Sequence, residues 1–169
     1  MSAVCNDMAT LIPAFRRKVE TLMQMMRDRG WNPYVFETRR TKERAAELHA
    51  RGTGSKDSMH IYDVAVDIVD ADLHNVPKKT REGYWDAPAK FWADLEDCAV
   101  TIGLHRLYRA GVKHDVHDDV AQSWDKPHVQ ACSLADQNKL RRMTRDERAA
   151  YLQLKFDSAL AAIDDALKE

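Results

Sequence analysis

The stretch SMHIYDVAVD, residues 58–67, runs on into two more apolar residues and is typical of a buried β-strand that carries an acid. A carboxylate in an apolar strand is costly unless a neighbouring group neutralises it, and His60 stands upstream of Asp67. The simplest interpretation is alternation, in which every second residue from Val64 to Ile68 faces the core and Asp67 lies on a wetter face. The alternative is that His60 and Asp67 belong to one site.

Length and composition indicate one soluble globular domain with its own core. The chain has 169 residues, of which 44% are hydrophobic and 31% are charged. Lysine and arginine number 26 against 27 aspartates and glutamates, which gives a net charge of -1. Because the positive and negative charges are nearly equal in number, the chain has no net electrostatic attraction to nucleic acid or to an anionic membrane. We therefore expect no nucleic-acid partner, and a local site that selects the ligand.

The sequence shows neither a membrane-spanning segment nor a Sec-type signal. No apolar run approaches the length of a span, and no basic residue precedes the weak apolar stretch near Leu11. Cys5, Cys98 and Cys132 are widely spaced and form no C-x-x-C pair, which favours buried thiols in a reducing compartment. We expect synthesis in the cytoplasm without a signal peptide, and no membrane insertion.

Periodic apolar residues predict helices that alternate with short strands. Leu11–Arg29 has helical spacing with a proline near its start, and a second such segment runs from Pro88 to Gly103. Tyr34–Glu37 is a short strand candidate, and Thr41 is a candidate N-cap for the helix that follows it. This mixture predicts an α+β fold in which helices flank a small antiparallel sheet.

A last helix is predicted from a capping box. Thr144 is followed three residues later by Glu147, and an apolar stripe continues from there toward the C-terminus. We therefore divide the chain into a domain over residues 1–143 and an extra amphipathic helix over residues 144–169. The stripe predicts that this helix packs on the domain or on a partner.

A second polar cluster, WDKPHVQ at residues 124–130, lies at the edge of another short apolar patch. Two neutral imidazoles and one carboxylate form a three-ligand set for zinc that leaves a fourth position for water, as in catalytic sites. His60, Asp67 and His128 would supply that set. The cysteines are not spaced to close a structural zinc site, so an open site with Lewis-acid chemistry is the hypothesis.

Hydrolysis at such a site also needs a proton acceptor. Asp125 stands three residues before His128, which places it beside the proposed metal. Pro127 stiffens the segment between them. A short D-x-x-H pattern is common by chance, however, so the alternative for Asp125 is a loop acid or a helix cap.

Together the two clusters resemble the zinc peptidases that cut bacterial cell-wall peptides. This family includes D-Ala-D-Ala carboxypeptidases and phage L-alanyl-D-glutamate endopeptidases, and it carries S-x-H-x-x-G-x-A-x-D followed by D-x-P-H-x-[QE]. The resemblance extends in weaker form from about Leu11 to Gln130 and does not cover the last helix. The residues that match the two motifs are Ser58, His60, Ala65, Asp67, Asp125, Pro127, His128 and Gln130.

The resemblance implies roles for residues around the predicted zinc ion. Asp125 would be the catalytic acid/base, and Arg40 would steady the substrate carboxylate or the developing oxyanion. Ser58 and Arg39 would contact substrate. For the arginines, the alternative is an exposed surface position.

Two residues depart from the family pattern, and one cluster is a rival metal site. Asp63 stands where the family has glycine, at a position that is expected to need an unusual backbone turn. Ala45 stands where relatives often carry glutamine, so the contacts that orient substrate differ. The run HDVHDD at residues 114–119 also mixes imidazoles with carboxylates, although a hydrated acidic loop explains it without a metal.

The function expected from the resemblance is zinc-dependent hydrolysis of peptidoglycan stem peptides. An aspartate as the base resembles the phage endolysin branch, which favours the L-Ala to D-Glu bond, with D-Ala-D-Ala cleavage as the alternative. Such an enzyme would reach the cell wall after lysis. A hypothesis of another class is a zinc-containing cell-wall-binding or virion module without catalysis.

Overall fold

The structure is a computed structural model that describes residues 3–74, 87–106 and 126–166, except for the side chains of residues 73–74 and 160–166. Within these residues three strands form one antiparallel sheet in the order β1-β2-β3. They are β1 (Pro33–Glu37), β2 (Ala65–Asp70) and β3 (His128–Gln130). Helices flank the sheet, so the predicted α+β class with a small antiparallel sheet is confirmed.

A β-bulge in β1 decides which side chains share a face of the sheet. Val35 pairs with Ile68, but the next paired residue of β1 is Glu37, opposite Asp67, so Phe36 is the extra residue. A shift of one residue moves a side chain to the other face of a strand. The bulge therefore places Glu37 in the same row as Asp67. Asp67 in turn pairs with His128 on β3, which completes a polar row across the sheet.

The central strand β2 is buried along its whole length. Ala65 and Val69, which alternation assigns to a wetter face with Asp67, have no exposed surface, and Asp67 itself is 6% exposed. The expectation of a wetter face is therefore wrong, because β2 lies between two neighbouring strands and is covered on both sides. Asp67 is a buried carboxylate, so its neutralisation depends on the groups around it.

The helices begin and end close to the signals in the sequence. The Thr41 hydroxyl accepts a hydrogen bond from the Arg44 N–H, as predicted for an N-cap, and Gly30 and Gly103 take positive φ angles after two of the helices. The helical segments are α1 (Pro13–Asp28), α2 (Lys42–Ala50), α3 (Ala71–His74), α4 (Ala89–Thr101), α5 (Gln137–Arg142) and α6 (Arg145–Ala166).

The hydrophobic core lies between the sheet and three of the helices. Helix α1 packs against α4 and α6, and its buried Phe15 and Leu22 join Leu95 of α4 and Leu152 of α6 in one cluster. The capping box at the start of α6 forms as expected, because the Thr144 N–H donates to the Glu147 carboxylate. The last helix is thus docked on the first.

The three cysteines are free thiols. Cys98 and Cys132 are buried, as expected, whereas Cys5 is half-buried. Burial raises the pKa of the Cys132 thiol to about 12, so this group stays protonated near neutral pH.

Asp63 links the loop that carries His60 to the last helix. It is in the left-handed region, with φ 61°, where aspartate is tolerated better than most residues. One carboxylate oxygen lies 3.1 Å from Nε of Arg145 on α6, and the other lies 3.6 Å from Nε of Arg39. Asp63 therefore adopts the turn and forms ion pairs that a glycine cannot make.

Within the part of the chain that the structure describes, no helix has the length and apolar character needed to cross a membrane.

The docking of α6 predicts opposite outcomes for two leucines on that helix. Leu152 is fully buried and Leu154 is 69% exposed. Leu152→Ala leaves a cavity under the helix, so we expect it to lower the free energy of unfolding by about 2 to 5 kcal/mol. The matched Leu154→Ala change should stay within about 0.5 kcal/mol of the parent. Urea denaturation followed by circular dichroism measures both, and equal losses would contradict the packing.

Candidate metal centre

His60, Asp67 and His128 come from two different parts of the fold and meet at one point. His60 lies in a short 3-10 turn, Met59–Tyr62, whose N-cap Ser58 accepts a hydrogen bond from the His60 N–H. Asp67 and His128 are cross-strand partners on β2 and β3. All three side chains are buried. The three predicted metal ligands therefore converge, and together they can hold a metal ion.

The three inward atoms form a nearly equilateral triangle. His60 Nε2 is 3.1 Å from Asp67 Oδ1 and 3.2 Å from His128 Nδ1, and the third edge, from His128 Nδ1 to Asp67 Oδ1, is 3.3 Å. Tetrahedral coordination with ligand distances of about 2.0 to 2.1 Å separates ligand atoms by roughly 3.3 Å. The spacing thus fits a small tetrahedral cation without a change in the backbone.

The proton on His60 is fixed on the side away from this triangle. His60 Nδ1 lies 2.7 Å from the carbonyl oxygen of Thr38. A carbonyl oxygen can only accept a hydrogen bond, so Nδ1–H is the donor. In the neutral ring, Nε2 therefore presents a lone pair to Asp67 and His128.

The proton on His128 is fixed by Gln130, two residues further along β3. The amide nitrogen of Gln130 donates to the carbonyl of Cys132 at 2.6 Å, so the amide oxygen points the other way, toward His128 Nε2 at 3.1 Å. Gln137 Nε2 donates to the same amide oxygen at 3.1 Å. Because this oxygen only accepts, His128 Nε2 carries the proton and Nδ1 presents its lone pair inward.

Three acceptor atoms thus face one point with no proton of the neutral rings between them. Burial alone raises the pKa of the Asp67 carboxyl, but His60 and His128, when protonated, donate to the carboxylate and outweigh it, so the net direction is downward. A proton on either ring thus occupies the place that a metal ion would take. Asp67 is therefore an anion in the folded protein. A metal cation at the centre of the triangle would offset the repulsion between these lone pairs.

A buried ion-pair network adjoins the triangle. Arg40 Nη2 lies 3.5 Å from Asp67 Oδ2, and Arg40 Nε donates to Glu37 Oε2 at 3.2 Å. Glu37 Oε1 also accepts from Arg44 Nε at 2.7 Å. Arg40 therefore contacts a candidate ligand directly, which gives it a positioning role in addition to the substrate role that the resemblance implies. Glu37 was missed by sequence reasoning, because its place beside Asp67 depends on the bulge.

Of the other predicted site residues, Ser58 lies beside Arg40, whereas Arg39 contacts Asp63. Ser58 Oγ is 3.4 Å from Arg40 Nη1, so these two lie together. Arg39 is more than half exposed and is turned toward Asp63. Its substrate role stays a prediction. Asp125 and the rival cluster at residues 114–119 lie outside the described residues.

A cleft of about 580 Å³ opens beside the triangle. Its wall includes Asp67 and His128, together with Arg40, Ser58 and residues of the 52–55 loop. Binding sites for small ligands and short peptides commonly have this volume. A molecule in the cleft therefore reaches a bound metal ion and the Arg40 guanidinium together.

No protein-family model matches the chain, and no match was found among curated proteins. The interpretation of the site therefore depends on its geometry and on the motifs in the sequence.

The hydrogen bond from His128 to Gln130 predicts a loss of metal affinity when Gln130 is changed. Gln130→Leu removes the acceptor that holds the His128 proton on Nε2, so we expect the affinity for an added metal ion such as zinc to fall by about 10- to 100-fold. Gln153→Leu, the same change at a half-buried glutamine of α6 that contacts Arg17 of α1, serves as the control and should leave affinity unchanged. Competition with a chromophoric chelator measures both, and equal affinity in the parent and Gln130→Leu would show that Gln130 does not orient the ring.

Proposed function

We propose that the protein is a zinc-dependent peptidase that hydrolyses peptidoglycan stem peptides, with the L-Ala to D-Glu bond as its preferred target. The observation that carries the proposal is the triangle of three inward lone pairs beside an open cleft. The two motifs that bring these residues together are those of the cell-wall peptidases named above.

The donor set supports zinc over other common ions. Two imidazole nitrogens and one carboxylate oxygen suit zinc, whereas calcium and magnesium prefer sites made of oxygen atoms. The described residues supply three ligand atoms, and catalytic zinc sites keep a further position for water or substrate. The adjoining cleft gives that position a route for substrate.

Zinc, when bound, supplies Lewis-acid polarisation of a carbonyl oxygen and acidifies water. The residues of the chain do the rest. Arg40, held by Glu37 and next to Ser58, donates hydrogen bonds to the substrate carboxylate or to the oxyanion that develops from the attacked carbonyl. Asp125 would accept the proton of the attacking water as the new C–O bond forms, and would pass it to the departing amine as the oxyanion collapses and the peptide C–N bond breaks.

A second candidate is cleavage of D-Ala-D-Ala, which the adjacent Arg40 and Ser58 favour. A guanidinium and a hydroxyl that lie 3.4 Å apart in the cleft suit the terminal carboxylate of a dipeptide or a stem peptide. Digestion of a defined pentapeptide separates the two candidates, since endopeptidase action releases L-Ala and carboxypeptidase action releases D-Ala.

The test of the proposal is metal content measured beside hydrolysis of a defined muropeptide. The parent should hold one zinc ion per chain and release fragments whose masses identify the bond. His128→Ala should lose both zinc and activity, because two protein ligands remain. His49→Ala, on the exposed face of α2, is the control for removing a histidine and should retain zinc. A parent that binds zinc and cuts no muropeptide would instead support the binding module without catalysis.

Asp125→Ala should separate proton transfer from metal binding. It removes none of the three candidate ligands, so zinc content should equal that of the parent while the rate falls by ~100-fold or more. The initial rate of muropeptide cleavage, at one pH and with zinc content measured on the same sample, provides the comparison. Full activity in this variant would rule out Asp125 as the base.

A further inference from the structure

The wall of the cleft that α5 forms carries Arg141, whose surroundings differ from those of Arg40 and Arg44. Arg141 lines the cleft and donates through Nη2 to Gln137 Oε1 at 2.9 Å and to the Asp57 carbonyl at 2.8 Å. Its Nη1 donates to Asn138 Oδ1 at 3.0 Å. All three acceptors are neutral, and Arg141 Nε is buried with no hydrogen-bond partner in the described part of the chain.

The other two arginines of the cleft differ from Arg141 in this respect. Arg40 and Arg44 both contact the carboxylate of Glu37, and Arg40 also lies beside Asp67. Among the described residues no carboxylate forms an ion pair with Arg141. A guanidinium surrounded by neutral acceptors is a strong binding group for a carboxylate that enters from outside.

The hydrogen bonds that hold Arg141 also reach the metal centre. Gln137 accepts from Arg141 through its oxygen and donates through its nitrogen to Gln130, whose oxygen accepts from His128. Both glutamines are buried. This series of hydrogen bonds fixes the position of Arg141 relative to His128. A ligand that contacts both residues must therefore match the distance between them.

The charge balance of the cleft also favours an anionic ligand. Three carboxylates and three guanidiniums line it, namely those of Glu37, Asp57, Asp67, Arg40, Arg44 and Arg141. A divalent cation at His60, Asp67 and His128 turns this balance into an excess of positive charge. A neutral peptide leaves that excess uncompensated, and an acidic one reduces it.

We propose that Arg141 is a specificity subsite that binds a carboxylate of the substrate, so that the cleft selects acidic peptides. The inference rests on the proposed peptidase function and names its substrate more closely. In a stem peptide the D-Glu residue next to L-Ala carries a free carboxylate, which becomes a neutral amide when that residue is amidated. Arg141 then distinguishes the acidic form of the stem peptide from the amidated form.

The experiment compares L-Ala-D-Glu-L-Lys with the same tripeptide amidated at the D-Glu carboxylate. Binding to the zinc-loaded protein is measured by calorimetry on versions whose scissile amide is N-methylated to resist hydrolysis, and cleavage is measured on the unmodified pair. We expect the parent to bind and cleave the acidic peptide at least ~10-fold better, as for loss of one hydrogen bond to a charged group.

Three variants assign that preference to a residue. Arg141→Met should reduce the ratio of acidic to amidated binding to about one, and Arg141→Lys, which keeps the charge, should restore part of it. Arg142→Met removes a neighbouring exposed arginine of α5 and should leave the ratio unchanged. The ratio is internal to each variant, so a general loss of stability does not imitate the effect.

Each outcome separates this inference from the proposed function. Equal binding of both peptides by the parent, or a preference that survives in Arg141→Met, overturns the subsite even if both peptides are cleaved. A preference that depends on Arg141 without cleavage supports the subsite and overturns hydrolysis. If neither peptide is bound or cleaved, both proposals fail.

Discussion

The structure depends on one electrostatic constraint. Lone pairs of His60, Asp67 and His128 point toward one position, and hydrogen bonds on the outer nitrogens hold the two rings in that orientation. The carbonyl of Thr38 fixes the proton of His60 on the outer nitrogen, and the amide of Gln130 does the same for His128. Asp67 adds a full negative charge between the two rings. In water such an arrangement would relax, whereas here the Thr38 carbonyl and the Gln130 side-chain amide are themselves held in place by the fold. A cation satisfies the constraint, and this gives the site its chemical meaning.

The fold is arranged so that this constraint is met. The cross-strand register puts Asp67 opposite His128, and the bulge at Phe36 brings Glu37 into the same row. Glu37 then holds Arg40 against Asp67, so the buried carboxylates and guanidiniums offset one another. On the other side of the triangle, α5 provides the glutamine that completes the hydrogen bonds of Gln130. The candidate metal ligands are thus oriented by interactions from β1, β3 and α5, and the cleft beside them stays open.

The sequence predicted the elements that depend on local chemistry, but it did not predict every contact that depends on strand register. Helix α1 and the caps at Thr41 and Thr144 follow from periodicity and from side chains that satisfy backbone N–H groups nearby. The convergence of the metal ligands followed from residue type and motif. Glu37 could not be found in this way, because the bulge that places it has no signature in the sequence. Helix α5 has six residues, and five of them are charged or amide-bearing. With Leu140 as its one apolar residue it has no apolar period that could reveal that Gln137 and Arg141 line the cleft.

The most direct test of the central claim is an anomalous diffraction map collected at the zinc absorption edge from crystals grown with zinc. The account predicts one strong peak within about 2.0 to 2.2 Å of His60 Nε2, His128 Nδ1 and a carboxylate oxygen of Asp67. It also predicts that the outer nitrogens keep their bonds to Thr38 and Gln130. A peak elsewhere on the chain, or a metal-bound His128 that coordinates through Nε2, would contradict it.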